Sequence, residues 1–325
     1  MAEDIRAGLQ DWLGEEVGQP VAIGGLRRTS AGFSRENWVL DATWNGTRHD
    51  LIVRRDPVGS VLNTDRRVEV AVLRGLEPTA VKAPRLRWAD LDGTRLGRPS
   101  LVMDLVRGTC DGFVLNGERT LGERVALAHA LYDQLAAIHQ VDLARVGLPG
   151  VAPGNAARAA VDHWESELRA VQLEAEPELT FVFTWLRANA PVNERTALVH
   201  GDFKPGNALF DDDGEGGTEW TAILDWETAH LGDPHEDLGW VTNPLRQREH
   251  RIPGGWEPDD LLDRWSARTG WDVDRDAVHW WQVLANAKLA VIVHTGARAF
   301  VQGKLDRIHQ APVRIHQLLL QQIGA

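Results

Sequence analysis

Two nearby segments of this chain combine residue types that can carry chemistry. The first is His200-Gly201-Asp202-Phe203-Lys204-Pro205-Gly206-Asn207, and the second is Ile223-Leu224-Asp225-Trp226-Glu227. A carboxylate at Asp202 can accept the proton of a hydroxyl group. The amide oxygen of Asn207 and the carboxylate of Asp225 are hard ligands that suit a magnesium ion holding nucleotide phosphates. Together these side chains suit phosphoryl transfer to a hydroxyl.

The order matters as much as the types. An acid, an amide five residues on and a second acid eighteen residues further parallel the kinase loop H-R-D-x-x-x-x-N and its later metal aspartate, with Gly201 at the arginine position. Ala208-Leu209-Phe210 and Trp220-Thr221-Ala222-Ile223-Leu224 pattern as paired strands around the acidic tip 211–217. Such a hairpin would bring Asn207 and Asp225 together at its open end.

The elements that must position these residues follow from periodicity. Ile5, Leu9, Trp12 and Leu13 share one face of an N-terminal helix. Strands are expected over Val21–Arg28, Asn37–Thr43 and Asp50–Arg55, with Asn45-Gly46 as a tight hairpin turn. A helix over Thr64–Leu76 and strands around Leu86 and Leu101–Leu105 come next. Gly108–Asn116 is the expected connection to a second part, in which helices are expected over Thr120–Val141, Val161–Glu174, Glu178–Ala188, Pro258–Arg268, Asp276–His294 and Pro312–Gln322. Strands first and helices later predict an α+β chain of two lobes, 1–107 and 108–325, the first small and β-rich and the second mainly helical.

Composition narrows the class. At 325 residues, 43% hydrophobic and 25% charged, the chain is long enough for two lobes and globular in balance. A net charge of −12 argues against non-specific nucleic-acid binding. No apolar run approaches membrane-spanning length, the single cysteine Cys110 cannot pair internally, and the N-terminus lacks a signal-peptide profile. The expectation is a cytoplasmic protein with no membrane or nucleic-acid partner; the oligomeric state stays open.

His200–Asn207 with Asp225 resembles the signature of the aminoglycoside phosphotransferase and choline kinase-like family, in the branch of kinase-like domains associated with acyl-CoA dehydrogenases. Ser30-Ala31-Gly32-Phe33-Ser34, Leu51–Arg55, Gly97–Asp104 and Gly232–Leu238 add to the likeness, which runs from Gly25 to about Ala299. The resemblance implies a bilobal protein-kinase-like fold, ATP or another nucleoside triphosphate, Mg2+, and γ-phosphate transfer to a hydroxylated small molecule. It implies that Asp202 is the catalytic residue and that Asn207 and Asp225 bind metal. Ser30, Gly32 and Ser34 would then form the phosphate loop, although an ordinary hairpin turn reads equally well there. Met103, Asp104 and Leu105 would form the adenine-facing hinge.

One departure is conspicuous: kinases place a lysine on the third strand, and no lysine precedes Lys82 here. Arg54 takes that role in our reading, with Ile52 on the same strand face toward the adenine, Arg55 opposite, and Glu69 as the acidic partner. Asp233 is expected to cap a following helix, and Asp237 to brace the loop rather than bind metal. His139 reads as a satisfied core histidine. Asp211–Ala222 lacks the final glutamate of a calcium loop, and His279 and His294 lack ligand-like spacing, so no zinc site is expected. Of Trp256, Trp265, Trp271, Trp280 and Trp281, most should be core and one or two should line the acceptor pocket. Arg246, Arg248 and Arg251, with Arg298, Lys304, Arg307 and Arg314, point to an anionic acceptor such as a hydroxyacyl-CoA. The competing reading is a nucleotide-binding pseudokinase or regulatory module without phosphotransfer, for which the missing strand lysine speaks.

Overall fold

The computed structural model describes residues 2–29, 36–56, 65–212, 218–304 and 313–324. The chain begins with α1 (Ala2–Val17), then β1 (Ala22–Arg28), β2 (Glu36–Trp44), β3 (Thr47–Arg55), α2 (Arg66–Leu76), β4 (Leu86–Asp90) and β5 (Ser100–Asp104). These strands form one antiparallel sheet in the spatial order β1-β2-β3-β5-β4. Asn45 and Gly46 both take positive φ, 53° and 70°, which closes β2 onto β3 in a two-residue turn whose twist matches the strands.

Alternation along β3 and β5 decides what the sheet presents on each side. Leu51, Val53 and Val102 point into a cluster with Ile5, Leu9, Trp12 and Leu13 of α1. Ile52, Leu101 and Met103 point the other way, toward Val72, Leu73 and Leu76 of α2 and the core of the second lobe. Arg54 follows Ile52 on that inner face, so strand parity alone aims it into the cleft between the lobes.

The second lobe contains α3 (Leu121–His139), α4 (Leu143–Val146), α5 (Ala156–Val171), α6 (Pro177–Ala188), β6 (Ala197–Val199), β7 (Ala208–Asp212), β8 (Thr218–Ile223), β9 (His230–Gly232), α7 (His235–Val241), α8 (Gln247–His250), α9 (Pro258–Thr269), α10 (Arg275–Val301) and α11 (Val313–Gln322). The start of α3 is set by a reciprocal capping box between Thr120 and Glu123. β7 and β8 pair as a hairpin, with Ala208 opposite Ile223. A second core joins α5, α6, α10 and α11 through residues such as Phe183, Trp280, Leu284 and Leu319.

The structure departs from sequence expectation in several places: the short helices α4 and α8 are not among the expected elements, and α5 starts at Ala156 rather than Val161. β6 and β9 pair as a short two-stranded ladder, unforeseen because three residues show no periodicity. α10 continues beyond His294, through Gly296, to Val301. Its extra turns reach past the packed part of the helix, and Phe300 and Val301 are exposed.

Candidate active site

The loop after β6 is held by a complete set of side-chain partners for its backbone. His200 N–H and Gly201 N–H donate to the two carboxylate oxygens of Asp237 at 2.7 and 2.9 Å. Thr228 Oγ1 donates to His200 O at 3.0 Å, and Lys288 Nζ donates to Gly201 O at 2.9 Å. Gly201 has φ +80°, and an added Cβ would lie 2.9 Å from Thr228 O. Only glycine fits there.

His200 carries the same restraint to the second segment. Its Nε2 lies 2.9 Å from Leu224 O and its Nδ1 accepts from Asp202 N–H at 3.3 Å, which assigns the proton to Nε2. Leu224 N–H in turn donates to Asn207 O at 2.7 Å. Leu224, the residue before Asp225, is thus pinned through both its N–H and its carbonyl, and Asp225 takes a left-handed conformation, φ 61° and ψ 55°. That geometry is costly for a residue other than glycine, by about 1–3 kcal/mol, and survives only where the surroundings enforce it.

Asp202, Asn207 and Asp225 are brought together by these restraints. Asn207 Nδ2 donates to Asp202 Oδ2 at 2.9 Å and to Asp202 O at 3.0 Å. With its nitrogen committed to the acid, the amide has its oxygen left to offer a cation. Lys204 Nζ lies 2.7 Å from Asp202 Oδ2. An amide oxygen and a partly exposed carboxylate fit magnesium, which binds few protein ligands and completes its shell with water and phosphate oxygens.

Arg54 reaches the same place from the sheet. Its two terminal nitrogens contact Glu69 Oε1 at 2.7 Å and Asp225 Oδ1 at 2.8 Å. Burial works against its charge, but Glu69, Asp225 and Glu227 outweigh it and raise its pKa above the ordinary arginine value. Glu69 is itself buried, and its second oxygen is held at 2.7 Å by Arg66, one helical turn before it. Arg55 points to the opposite face, where it contacts Glu36, also bound by Arg98.

The remaining nucleotide-side candidates are placed as follows. Ile52 packs on the inner face beside Met103, whose side chain is in the core. Asp104 Oδ1 is paired with Arg87 at 2.7 Å. The N–H groups of Asp104 and Leu105 are already committed to Arg85 O and Asp50 O, so the carbonyls of this segment are what it can present to a base. Ser30, Gly32 and Ser34 lie outside the described residues.

A cavity of about 550 Å³ opens beside Asp202 and Asp225. Its walls combine Ala156, Ala159, Ala160 and Trp164 of α5 with Leu289 and Ile292 of α10, and with Trp240. The tryptophans differ from those expected: Trp256, Trp265, Trp280 and Trp281 are buried core residues, and Trp271 is half-buried beneath Arg195. Trp265 of α9 and Trp280 and Trp281 of α10 are turned inward by their helices, while Trp164 and Trp240 face the opening. Of the basic residues expected near an acceptor, Arg246 lines the cavity; Arg248 lies over Phe113, Arg251 pairs with Glu257, and Arg307 is outside the described residues. Two other lining cations, Lys204 and Lys288, stand out instead. Lys288 sits over the Trp240 and Trp164 rings at 5.0 and 5.5 Å. His230 donates to both Thr228 O and Glu236; burial lowers its pKa, but Glu236 outweighs this and raises it, so the ring is held as a cation.

Asp233 and Asp237 serve the frame. Asp233 Oδ1 accepts from His235 N–H at 2.9 Å at the start of α7, and its other oxygen accepts from Trp281 Nε1. Asp237 is fully buried and also contacts His139 Nε2 at 3.1 Å, while His139 Nδ1 accepts from Trp265 Nε1 at 2.9 Å. Burial alone would raise the Asp237 pKa, but the hydrogen bond from His139, with His200 close by, holds it below the ordinary value. A depressed carboxylate contributes stability that is present above the unfolded value, about 3.9, and lost as pH falls through the folded value. Asp237→Asn should therefore cost about 3 kcal/mol at pH 7 in urea unfolding. The gap between variant and parent should shrink at pH values below about 3.9; a gap independent of pH would count against an ionised Asp237.

Comparison with known proteins agrees with this architecture. The chain matches the model of the phosphotransferase enzyme family (APH) over residues 25–281. It is 28% identical over 197 residues to acyl-CoA dehydrogenase family member 10 of Mus musculus, covering 58% of this chain and 18% of that protein. It is 26% identical over 268 residues to acyl-CoA dehydrogenase family member 11 of Rattus norvegicus, covering 78% and 34%. The chain thus spans between about a fifth and about a third of the length of these relatives. Among solved structures, a provisionally assigned aminoglycoside phosphotransferase from Ralstonia eutropha superposes with a TM-score of 0.75 at 20% identity, over 98% of this chain and 95% of that one. A thermostable mutant of aminoglycoside phosphotransferase APH(4)-Ia, in a ternary complex with ADP and hygromycin B, gives 0.57 at 16% identity over 98% of both. These likenesses show a shared bilobal kinase-like fold. One continuous family match takes in the sheet, the His200–Asn207 loop and Asp225, and the chain belongs to the phosphotransferase enzyme family.

Proposed function

We propose that the protein transfers the γ-phosphoryl group of a nucleoside triphosphate, ATP in the first instance, to a hydroxyl of a small molecule seated in the cavity. The observation that carries this reading is the convergence of Asp202, Asn207, Asp225 and Arg54 from both lobes, with Asp202 and Asp225 lining the cavity. The acceptor oxygen forms a bond to the γ-phosphorus, the bond to the bridging oxygen breaks, and the nucleoside diphosphate leaves. Asp202 takes or orients the hydroxyl proton, and Lys204 and Asn207 hold its carboxylate in place. Asn207 and Asp225 would hold magnesium, which when bound neutralises charge on the phosphate oxygens. Arg54, steered by Glu69, meets the phosphates from the sheet side.

The acceptor reading is narrower: a hydroxylated molecule with an anionic group and an apolar part. Lys288 and Arg246 supply positive charge, while the alanine and leucine wall with Trp164 suits a hydrocarbon segment. A hydroxyacyl-CoA has that character, and the names of the acyl-CoA dehydrogenase relatives support the same class. One contact favours the alternative of a nucleotide-binding pseudokinase. Arg54 occupies Asp225 Oδ1, an oxygen that a metal would use.

Turnover separates the two readings. With magnesium and ATP, a panel of hydroxylated metabolites including hydroxyacyl-CoAs should yield a product heavier by one phosphate in mass spectrometry. Tight nucleotide binding without any such product would support the pseudokinase. Asp202→Asn should lower kcat about 100-fold or more while nucleotide binding persists; unchanged turnover would remove Asp202 from the proton-transfer role. Arg54→Ala should raise the KM for ATP about tenfold, more than Arg55→Ala does. The opposite ranking in steady-state kinetics would assign the phosphates to the other strand face.

A further inference from the structure

Three side chains far apart in sequence meet in the helical lobe, and none of them lines the Asp202 cavity. Glu176 is the residue immediately before α6, His294 lies in the later part of α10, and His316 lies near the start of α11. We propose that Glu176, His294 and His316 form a binding site for a divalent transition-metal ion, zinc being the occupant best matched to two imidazoles and a carboxylate.

The donor atoms themselves make the argument. The two imidazole nitrogens and the carboxylate oxygen lie within 4.8 Å of one another. His294 is only 7% exposed, and both His294 Nε2 and His316 Nε2 are buried without a hydrogen-bond partner among the described residues. A buried polar atom left without a partner is costly, and two facing one carboxylate call for a common partner. Glu176 Oε1 is 3.5 Å from His294 Nε2, too long for a good hydrogen bond. It is close to the roughly 3.3 Å that separates ligand atoms around tetrahedral zinc with bonds of about 2.0–2.1 Å. The third donor, within 4.8 Å of the other two, must move inward for all three to hold one ion.

The location defines the role. The ion would tie the start of α6 and the far part of α10 to α11, which is otherwise held by the burial of Ile315 and Leu319 and by hydrogen bonds between Gln322 and both His279 and Asn286 of α10. It would act as a structural clip, and three protein ligands leave a fourth position for water. Linear spacing conceals such a site, since 118 residues separate Glu176 from His294 and only the packing of three helices brings the donors together.

The test uses the full chain after dialysis against a chelator, titrated with Co2+ as a spectroscopic probe and with Zn2+ in competition, in excess Mg2+. One equivalent of Co2+ should bind with the ligand-field bands of a tetrahedral or five-coordinate ion, be displaced by Zn2+, and raise the Tm. Asp225→Asn should leave that signal intact, which separates it from metal bound beside Asp202. His294→Gln and His316→Gln should each weaken Co2+ binding by more than about tenfold and abolish the Zn2+-dependent rise in Tm. Absence of saturable one-equivalent binding to the parent chain would overturn the proposal whether or not the variants fold. Unchanged affinity in folded His294→Gln or His316→Gln would overturn it as well.

Discussion

A single buried carboxylate organises the second lobe. Asp237 accepts from two consecutive backbone N–H groups of the His200–Gly201 loop and from His139. His139 in turn accepts from Trp265, so one chain of hydrogen bonds joins α9, α3, α7 and the loop. A charge buried this deeply is unfavourable unless every lone pair finds a donor. Meeting that requirement forces α3 and α7 into one relation with the loop, and the positions of Asp202 and Asn207 follow from it.

The second constraint spans the lobes. His200 Nε2 and Asn207 O grip the two sides of Leu224, which leaves Asp225 in a left-handed conformation. From the other lobe, Arg54 joins Asp225 to Glu69, and Arg66 completes the partners of Glu69. Arg54 therefore meets both the helix acid and the acid of the second lobe. A planar guanidinium can serve both at once, where the compact ammonium of lysine would have no such fork. The arginine on β3 is consistent with a cleft whose two walls are held together electrostatically before any nucleotide is present.

Much of this was readable from local patterns. The α1 stripe Ile5, Leu9, Trp12 and Leu13, the Asn45-Gly46 turn and the β7–β8 hairpin depend on neighbours within a few residues, so periodicity and turn chemistry suffice. The inward orientation of Arg54 follows from strand parity. Cavity walls obey no such local rule. Trp164 and Trp240 face the opening while the tryptophans of α9 and the start of α10 are buried, because helix packing, not composition, decides which side of an amphipathic helix meets solvent. The basic residues divide in the same way: Lys288 faces the cavity from mid-helix, whereas Arg251 spends its charge on Glu257.

By itself the sequence determined the family, the two-lobed α+β order and the identity of the polar residues grouped in the His200–Asn207 and Asp225 segments. Those are properties of type and short-range spacing, carried by covalent connectivity. Only the tertiary structure decided how Asp237 serves the loop, which cations and aromatic rings line the cavity, that Arg54 joins Glu69 to Asp225, and that Glu176, His294 and His316 converge. Each of these depends on contacts between residues remote in the chain, whose distance is set by the packing of whole helices and sheets and is not encoded in any local window.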